Sequence, residues 1–126
     1  MRLLIDTHTL IWWLTDPTRL SAECLDALSA RDTEVSVSAV SAYEIEFKRP
    51  VDPLLQNMPE ALAEAVVAEG FDWRAIQPED AMLAGRLPRH HRDPWDRLLI
   101  AQAKASGLRI VTKDEAFAAY GVPTLW

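Results

Sequence analysis

The chain has one cysteine, Cys24, among 126 residues. It can close no internal disulfide and has no clustered partner for a thiolate metal site, so a disulfide-stapled fold is excluded and a reducing compartment is expected. Zinc-type histidine spacing is missing as well: His8 stands alone, and His90 and His91 are adjacent rather than three to five apart. The longest apolar run, Leu10 to Leu14, is far too short to span a membrane. Met1-Arg2 leads straight into Leu3-Leu4-Ile5 without a signal-peptide layout, so a cytoplasmic location is expected. Positive charge is not in excess either. The formal net charge of −6 argues against nucleic-acid binding by a basic surface, unless several carboxylates gather under a divalent cation. Internal repeats and low-complexity stretches are absent.

Hydrophobic residues make up 49% of the chain, and 126 residues suffice for one domain, 1–126, with a real core. Leu3-Leu4-Ile5 reads as a buried strand ending at Asp6, followed by a helix from Thr7 to about Leu14. Ser21 caps a helix reaching about Arg31, with Leu20 stapling onto Leu25. Val35 and Val37 alternate with serines as a second strand, and a helix from Ala39 to Lys48 stops before Pro50. Past a proline-bearing linker, Asn57 and Glu60 have capping-box spacing before a helix from Ala61 to Glu69. Phe71 to Ile76 reads as strand and Pro78 to Leu87 as helix. A basic loop and a helix from Asp93 to Gly107 follow. Leu108 to Thr112 is strand, Asp114 to Tyr120 a short helix, and Thr124 to Trp126 a last strand. Strands alternating with helices imply an α/β domain with a central, mostly parallel sheet.

The segment HRDPWDRLLIAQAKASG poses the functional question. Asp93-Pro94 opens its helix, and Leu99, Ile100 and Ala103 form an apolar stripe. Asp96 lies on that same face, where a carboxylate costs free energy unless something pairs with it. Other acids point to the same place. Asp6 and Asp114 follow strands, and residues just past the carboxyl ends of parallel strands share one crevice. Glu44 sits mid-helix after the second strand. Helix capping is an alternative for Asp6 and Asp114 taken singly, and it describes Asp93. It explains neither Glu44 nor the inward face of Asp96. Apart from Lys113, no base stands at the matching strand ends, so a bound cation is the better partner. A hard ion such as Mg²⁺ suits such oxygen ligands and supports phosphodiester hydrolysis. No residue stands out as a general base. Glu46, Glu60, Glu64 and Glu69 read as solvated faces.

LIDTHTLIWWL, SAVSAYEIEFKR, HRDPWDRLLIAQA and IVTKDEAFAAYGVPTLW, in this order over the whole chain, resemble the PIN-domain family, and within it the VapC toxins of type II toxin–antitoxin systems. The resemblance implies a PIN-like α/β/α sandwich and Mg²⁺- or Mn²⁺-dependent endoribonuclease activity on RNA. It also implies a homodimer silenced by a VapB-type antitoxin. Carried over by position, Asp6, Glu44, Asp96 and Asp114 are the catalytic, metal-binding acids. Asp93 is either an outer ligand or a cap, and Thr112 is a hydroxyl able to orient Asp6 or a metal water. Arg86, Arg89, Arg92 and Arg97 are candidates for contact with RNA or antitoxin, against the plain reading of a solvated loop. One departure is visible: related chains often continue from the glutamate helix into a Gly-containing basic turn, whereas KRPVDPLLQNM has no glycine.

A phosphoryl-receiver signalling domain shares the length, the α/β pattern and a late lysine, Lys113. It requires a phospho-accepting aspartate and an acidic pair that are not found at the expected strand ends. A DNA nuclease or a binding module with a structural metal would share the same acids. Trp12-Trp13 is an unusual pair. Adjacent helical residues diverge by about 100°, so either the helix is buried on most sides or one indole lies at an interface.

Overall fold

The computed structural model describes residues 1–126. Its centre is β1 (Arg2–Ile5), whose Leu3, Leu4 and Ile5 are all fully buried. Successive strand side chains point to opposite faces, so a strand apolar at every position must be covered on both. Leu3 and Ile5 join one apolar cluster and Leu4 the other. The remaining strands are β2 (Glu34–Ser38), β3 (Asp72–Arg74), β4 (Arg109–Val111) and β5 (Thr124–Leu125). They lie in the order β3-β2-β1-β4-β5, with every pairing parallel.

Helices cover both faces, as an all-parallel sheet requires. The Leu3/Ile5 face carries α1 (Thr7–Thr15), α2 (Ala22–Ser29) and α4 (Leu62–Ala68), through Leu10, Cys24, Leu28, Leu62 and Val66. The Leu4 face carries α5 (Pro78–Arg86), α6 (Pro94–Ser106) and the tight 3-10 turn Glu115–Tyr120, through Ala84, Leu99, Ile100 and Phe117. The helix after β2, α3 (Ala39–Lys48), gives Ile45 to the first cluster and Val40 to the second. It therefore straddles the sheet edge above the strand ends.

Several expectations are corrected. The Asn57–Glu60 capping box does not form: α4 begins after Ala61, which makes no side-chain cap bond. β3 is shorter than Phe71–Ile76, because Phe71 turns into the core and the Ala75 carbonyl accepts from the buried Gln102 side chain. α2 ends at Ser29. The receiver alternative fails on topology: receivers have strand order 2-1-3-4-5, and here β2 lies between β1 and β3. Trp12 and Trp13 are both half-buried. The first meets Trp126 edge-on at 5.8 Å and the second meets Phe71 at 5.5 Å, so α1 is enclosed on fewer sides than the buried-helix reading requires. No helix is long and apolar enough to cross a membrane.

Candidate metal centre

The strand order reverses between β1 and β4, and open α/β sheets form their crevice at such a reversal. Asp6 leaves β1 as the N-cap of α1, its Oδ1 accepting from the Thr9 N–H at 2.8 Å. Its Oδ2 accepts from the Thr112 hydroxyl at 2.6 Å, which ties the end of β1 to the end of β4. The same Thr112 oxygen accepts from the Asp114 N–H at 3.0 Å. Asp114 caps the 115–120 turn through Oδ1, leaving Oδ2 directed at His91. Capping thus leaves Asp114 one oxygen for the cluster, whereas both oxygens of Asp6 are bonded within the protein. A carboxylate has two oxygens, and one of them serves the backbone.

Asp93 caps α6, its Oδ1 accepting from Trp95 N–H at 2.9 Å and Asp96 N–H at 3.4 Å. This sets the first turn of α6, from which Asp96 projects. Glu44 is 4% exposed, and its Oε2 accepts from Lys48 Nζ at 2.6 Å one turn along α3. Its Oε1 is buried without a partner. An orphaned buried carboxylate oxygen carries a desolvation cost, and a cation would relieve it.

Electrostatics places these acids in mutual range. Burial, then the charges of Asp93, Asp6, Glu44 and Asp114, push the Asp96 carboxyl up to about 8. Burial also raises Asp6 above the usual carboxylate range, against the hydrogen bonds from Thr112 and Thr9. Burial alone would lower Lys48, yet its bond to Glu44 and the charges of Glu44, Asp93 and Asp96 leave it raised. Like charges held together in this way await an opposite one.

His91 is a member of the cluster that the sequence reading did not include. Its Nε2 stands 2.9 Å from Asp96 Oδ2 and 3.4 Å from Asp114 Oδ2, while Nδ1 accepts from the Asp93 N–H at 3.3 Å. Ligand atoms of His91, Asp96 and Asp114 lie within 4.8 Å of one another, close enough to share one ion. Adjacency to His90 hid this, because ligand spacing along the chain says nothing about a loop folded back over a helix start. Lys48 was also overlooked, though its i,i+4 spacing from Glu44 is a readable signal. The donor set, carboxylates with one imidazole, fits a hard or borderline divalent cation.

The arginines divide. Arg86, Arg89 and Arg92 are exposed on or beside the loop carrying His91 and form no ion pair or hydrogen bond. Arg97 is committed to the protein itself. Its guanidinium donates to the carbonyls of Ala84, Leu87, Pro88 and His91 and to the Tyr120 hydroxyl, at 2.8 to 3.4 Å. That leaves it too few donors to serve as the expected RNA or antitoxin contact. It shapes the loop that presents His91.

A central parallel sheet, helices on both faces and an acidic crevice at the strand reversal define the class. The chain belongs to the PIN domain family, whose model matches residues 3–123. The VapC likeness is carried by Ribonuclease VapC22 of Mycobacterium tuberculosis, 32% identical over 127 residues and covering 98% of this chain and 97% of that one. Among solved structures, the fold is similar to VapBC2 from Rickettsia felis bound to a DNA fragment from their promoter. There the TM-score is 0.75 and the identity 12%, over 99% of this chain and 98% of that one. It is also similar to VapBC-5 from M. tuberculosis, with a TM-score of 0.66 and 17% identity over 98% and 97% of the two chains.

Proposed function

We propose that this chain is a divalent-metal-dependent endoribonuclease of the VapC kind, a toxin that a VapB-type antitoxin holds silent and that works as a homodimer in the cytoplasm. The observation that carries the reading is Asp96: a half-buried carboxyl 2.9 Å from His91, whose ionisation is opposed by burial and by Asp93, Asp6, Glu44 and Asp114 around it. The 32% identity to a chain named as a ribonuclease supports the reaction class.

Asp6, Glu44, Asp96 and Asp114, with His91 beside them, would hold Mg²⁺ or Mn²⁺. When bound, such an ion supplies Lewis-acid activation of water and neutralises charge at the phosphodiester. The chain's own residues prepare the place. Thr112 and the Thr9 amide hold Asp6 in one orientation. Asp93 acts as a cap whose fixed turn aims Asp96. The N-termini of α1, α3 and α6 begin at Asp6, Ser38 and Asp93, so helix dipoles add positive potential where an anionic backbone arrives. Lys48, beside Glu44, adds a full charge. Arg86, Arg89 and Arg92 extend that potential along the loop, to RNA phosphates or to an acidic segment of the antitoxin.

The decisive assay is cleavage of total RNA, with DNA of matching sequence as control, in Mg²⁺, Mn²⁺, Zn²⁺ or EDTA. RNA cleavage should need Mg²⁺ or Mn²⁺ and stop in EDTA. Asp6→Asn and Asp96→Asn should each lose more than the roughly 100-fold that loss of an outer metal partner costs, with circular dichroism unchanged. Full activity in either variant refutes the site, and cleavage of DNA alone refutes the substrate.

A further inference from the structure

A cavity of about 400 Å³ lies between α1 and α3, closed at its far end by the Pro53–Leu55 turn. That volume is in the range of small-ligand sites. Glu44 stands in its wall but Asp96 and Asp114 do not, so the cavity adjoins the candidate metal centre without being part of it.

Its chemistry is mixed in a particular way. One wall is the half-buried Trp12 indole, braced edge-on by Trp126 at 5.8 Å, with the Arg19 guanidinium 5.8 Å from the ring centre. Lys48 lines the end nearest the acids. Asp52 Oδ1 accepts from the Leu54 N–H at 2.9 Å, capping the far turn, while Oδ2 takes no hydrogen bond. The exposed Asn57 side chain, also lining the cavity, makes none either. The other acid of the rim, Asp16, is already held by the Thr18 hydroxyl and by Arg19. An apolar side chain of a protein partner would cover Trp12 but leave the free Asp52 oxygen facing it without a donor; Lys48 is already bonded to Glu44. A planar, hydrogen-bonding, phosphate-linked group covers the ring, donates to Asp52 and sets its own negative charge beside Lys48.

We propose that this cavity receives the nucleobase flanking the bond that is cut, and that Asp52 makes it select guanine. The proposal rests on the ribonuclease reading above. An aromatic wall accepts any base by stacking, so it gives affinity without choice. Choice comes from the polar edge. An ionised carboxylate offers acceptors only. Among RNA bases, guanine alone sets two neighbouring N–H donors, N1–H and the N2 amino group, on its Watson–Crick edge. Adenine and cytosine set one amino group beside an acceptor, and uracil one N–H between two acceptors. Arg19 and Lys48 then meet the flanking phosphates.

The test uses the metal-activated protein and oligoribonucleotides differing only at the nucleotides flanking one cleavage point. It is paired with calorimetric binding of GMP and UMP to Asp96→Asn, which needs no cleavage. Guanine should lead in kcat/KM and in binding by at least about tenfold, the size of one charged hydrogen bond. Asp52→Asn keeps the oxygen that caps Leu54 but replaces the free one with a donor. It should cut the guanine-to-adenine ratio about tenfold while its unfolding midpoint stays at the wild-type value. A purely structural Asp52 would not move that ratio. Equal use and binding of all bases, or a preference that survives Asp52→Asn, overturns the proposal. Guanine-selective binding lost in Asp52→Asn, in a protein that cleaves no RNA, upholds the pocket and sinks the ribonuclease reading instead.

Discussion

Asp96 shows how one side chain stores the tension of the whole site. Its carboxyl is raised from 3.8 to about 8 by burial and by neighbouring acids. A raised acid favours the folded state while protonated in it. Its contribution is complete below about pH 4 and lost as pH climbs through about 8. In EDTA, the unfolding midpoint should therefore fall across that window more steeply for the native chain than for Asp96→Asn. Added Mg²⁺ or Mn²⁺ should remove most of the difference, because bound metal stabilises the state that holds it. Thermal melts between about pH 5 and pH 9 check this, and identical slopes in the two proteins would refute it. Asp96 and Glu44 were legible in the sequence because burial period and charge conflict there. His91 was not, because its contacts run to Asp96 and Asp114 through the path of a loop rather than through a period.

That loop belongs to the scale of elements. The basic run from Arg86 to Arg92 reads as one electrostatic feature, yet the arginine that organises it is Arg97, on the first turns of α6. A planar guanidinium can bridge several carbonyls of a loop without regular structure, and lysine cannot. Arg97→Lys should cost about 2–3 kcal/mol in denaturant unfolding. It should lower cleavage through a displaced His91, with the affinity for RNA nearly unchanged. Arg92→Ala, exposed and unpaired, should do the opposite: wild-type stability and weaker RNA binding at raised salt. Stability lost in Arg92→Ala but kept in Arg97→Lys would reverse this division of roles. Element types were readable because caps announce helix starts: Asp6, Ser21, Ser38, Asp93 and Asp114 all cap as their positions suggest. Asn57 fails, since the chain between Pro53 and Leu62 must first cross from the far turn to α4.

In the whole molecule, two apolar layers share one sheet, and the site lies where both meet the strand ends. α1 supports the Asp6 side from one layer; Phe117, Tyr120 and α6 support His91 and Asp96 from the other. Phe117 is fully buried, with the His91 ring edge-on to it at 5.8 Å. Phe117→Ala should cost about 3–5 kcal/mol and loosen the metal side of the crevice. A calorimetric melt and a metal titration would show both effects. A loss of stability with unchanged metal affinity would mean that the two layers act independently of the site.

The linear chain dictated the alternation of strands and helices, the buried β1 and the acids at strand ends, because periodicity and capping are local properties. It also carried the family likeness, in four motifs whose order spans the chain. Only the tertiary structure decided that β2 lies between β1 and β3, that Lys48 and His91 answer the acids, and that Arg97 serves the backbone. Those outcomes depend on which distant surfaces bury against each other, and no local pattern of residues encodes that choice.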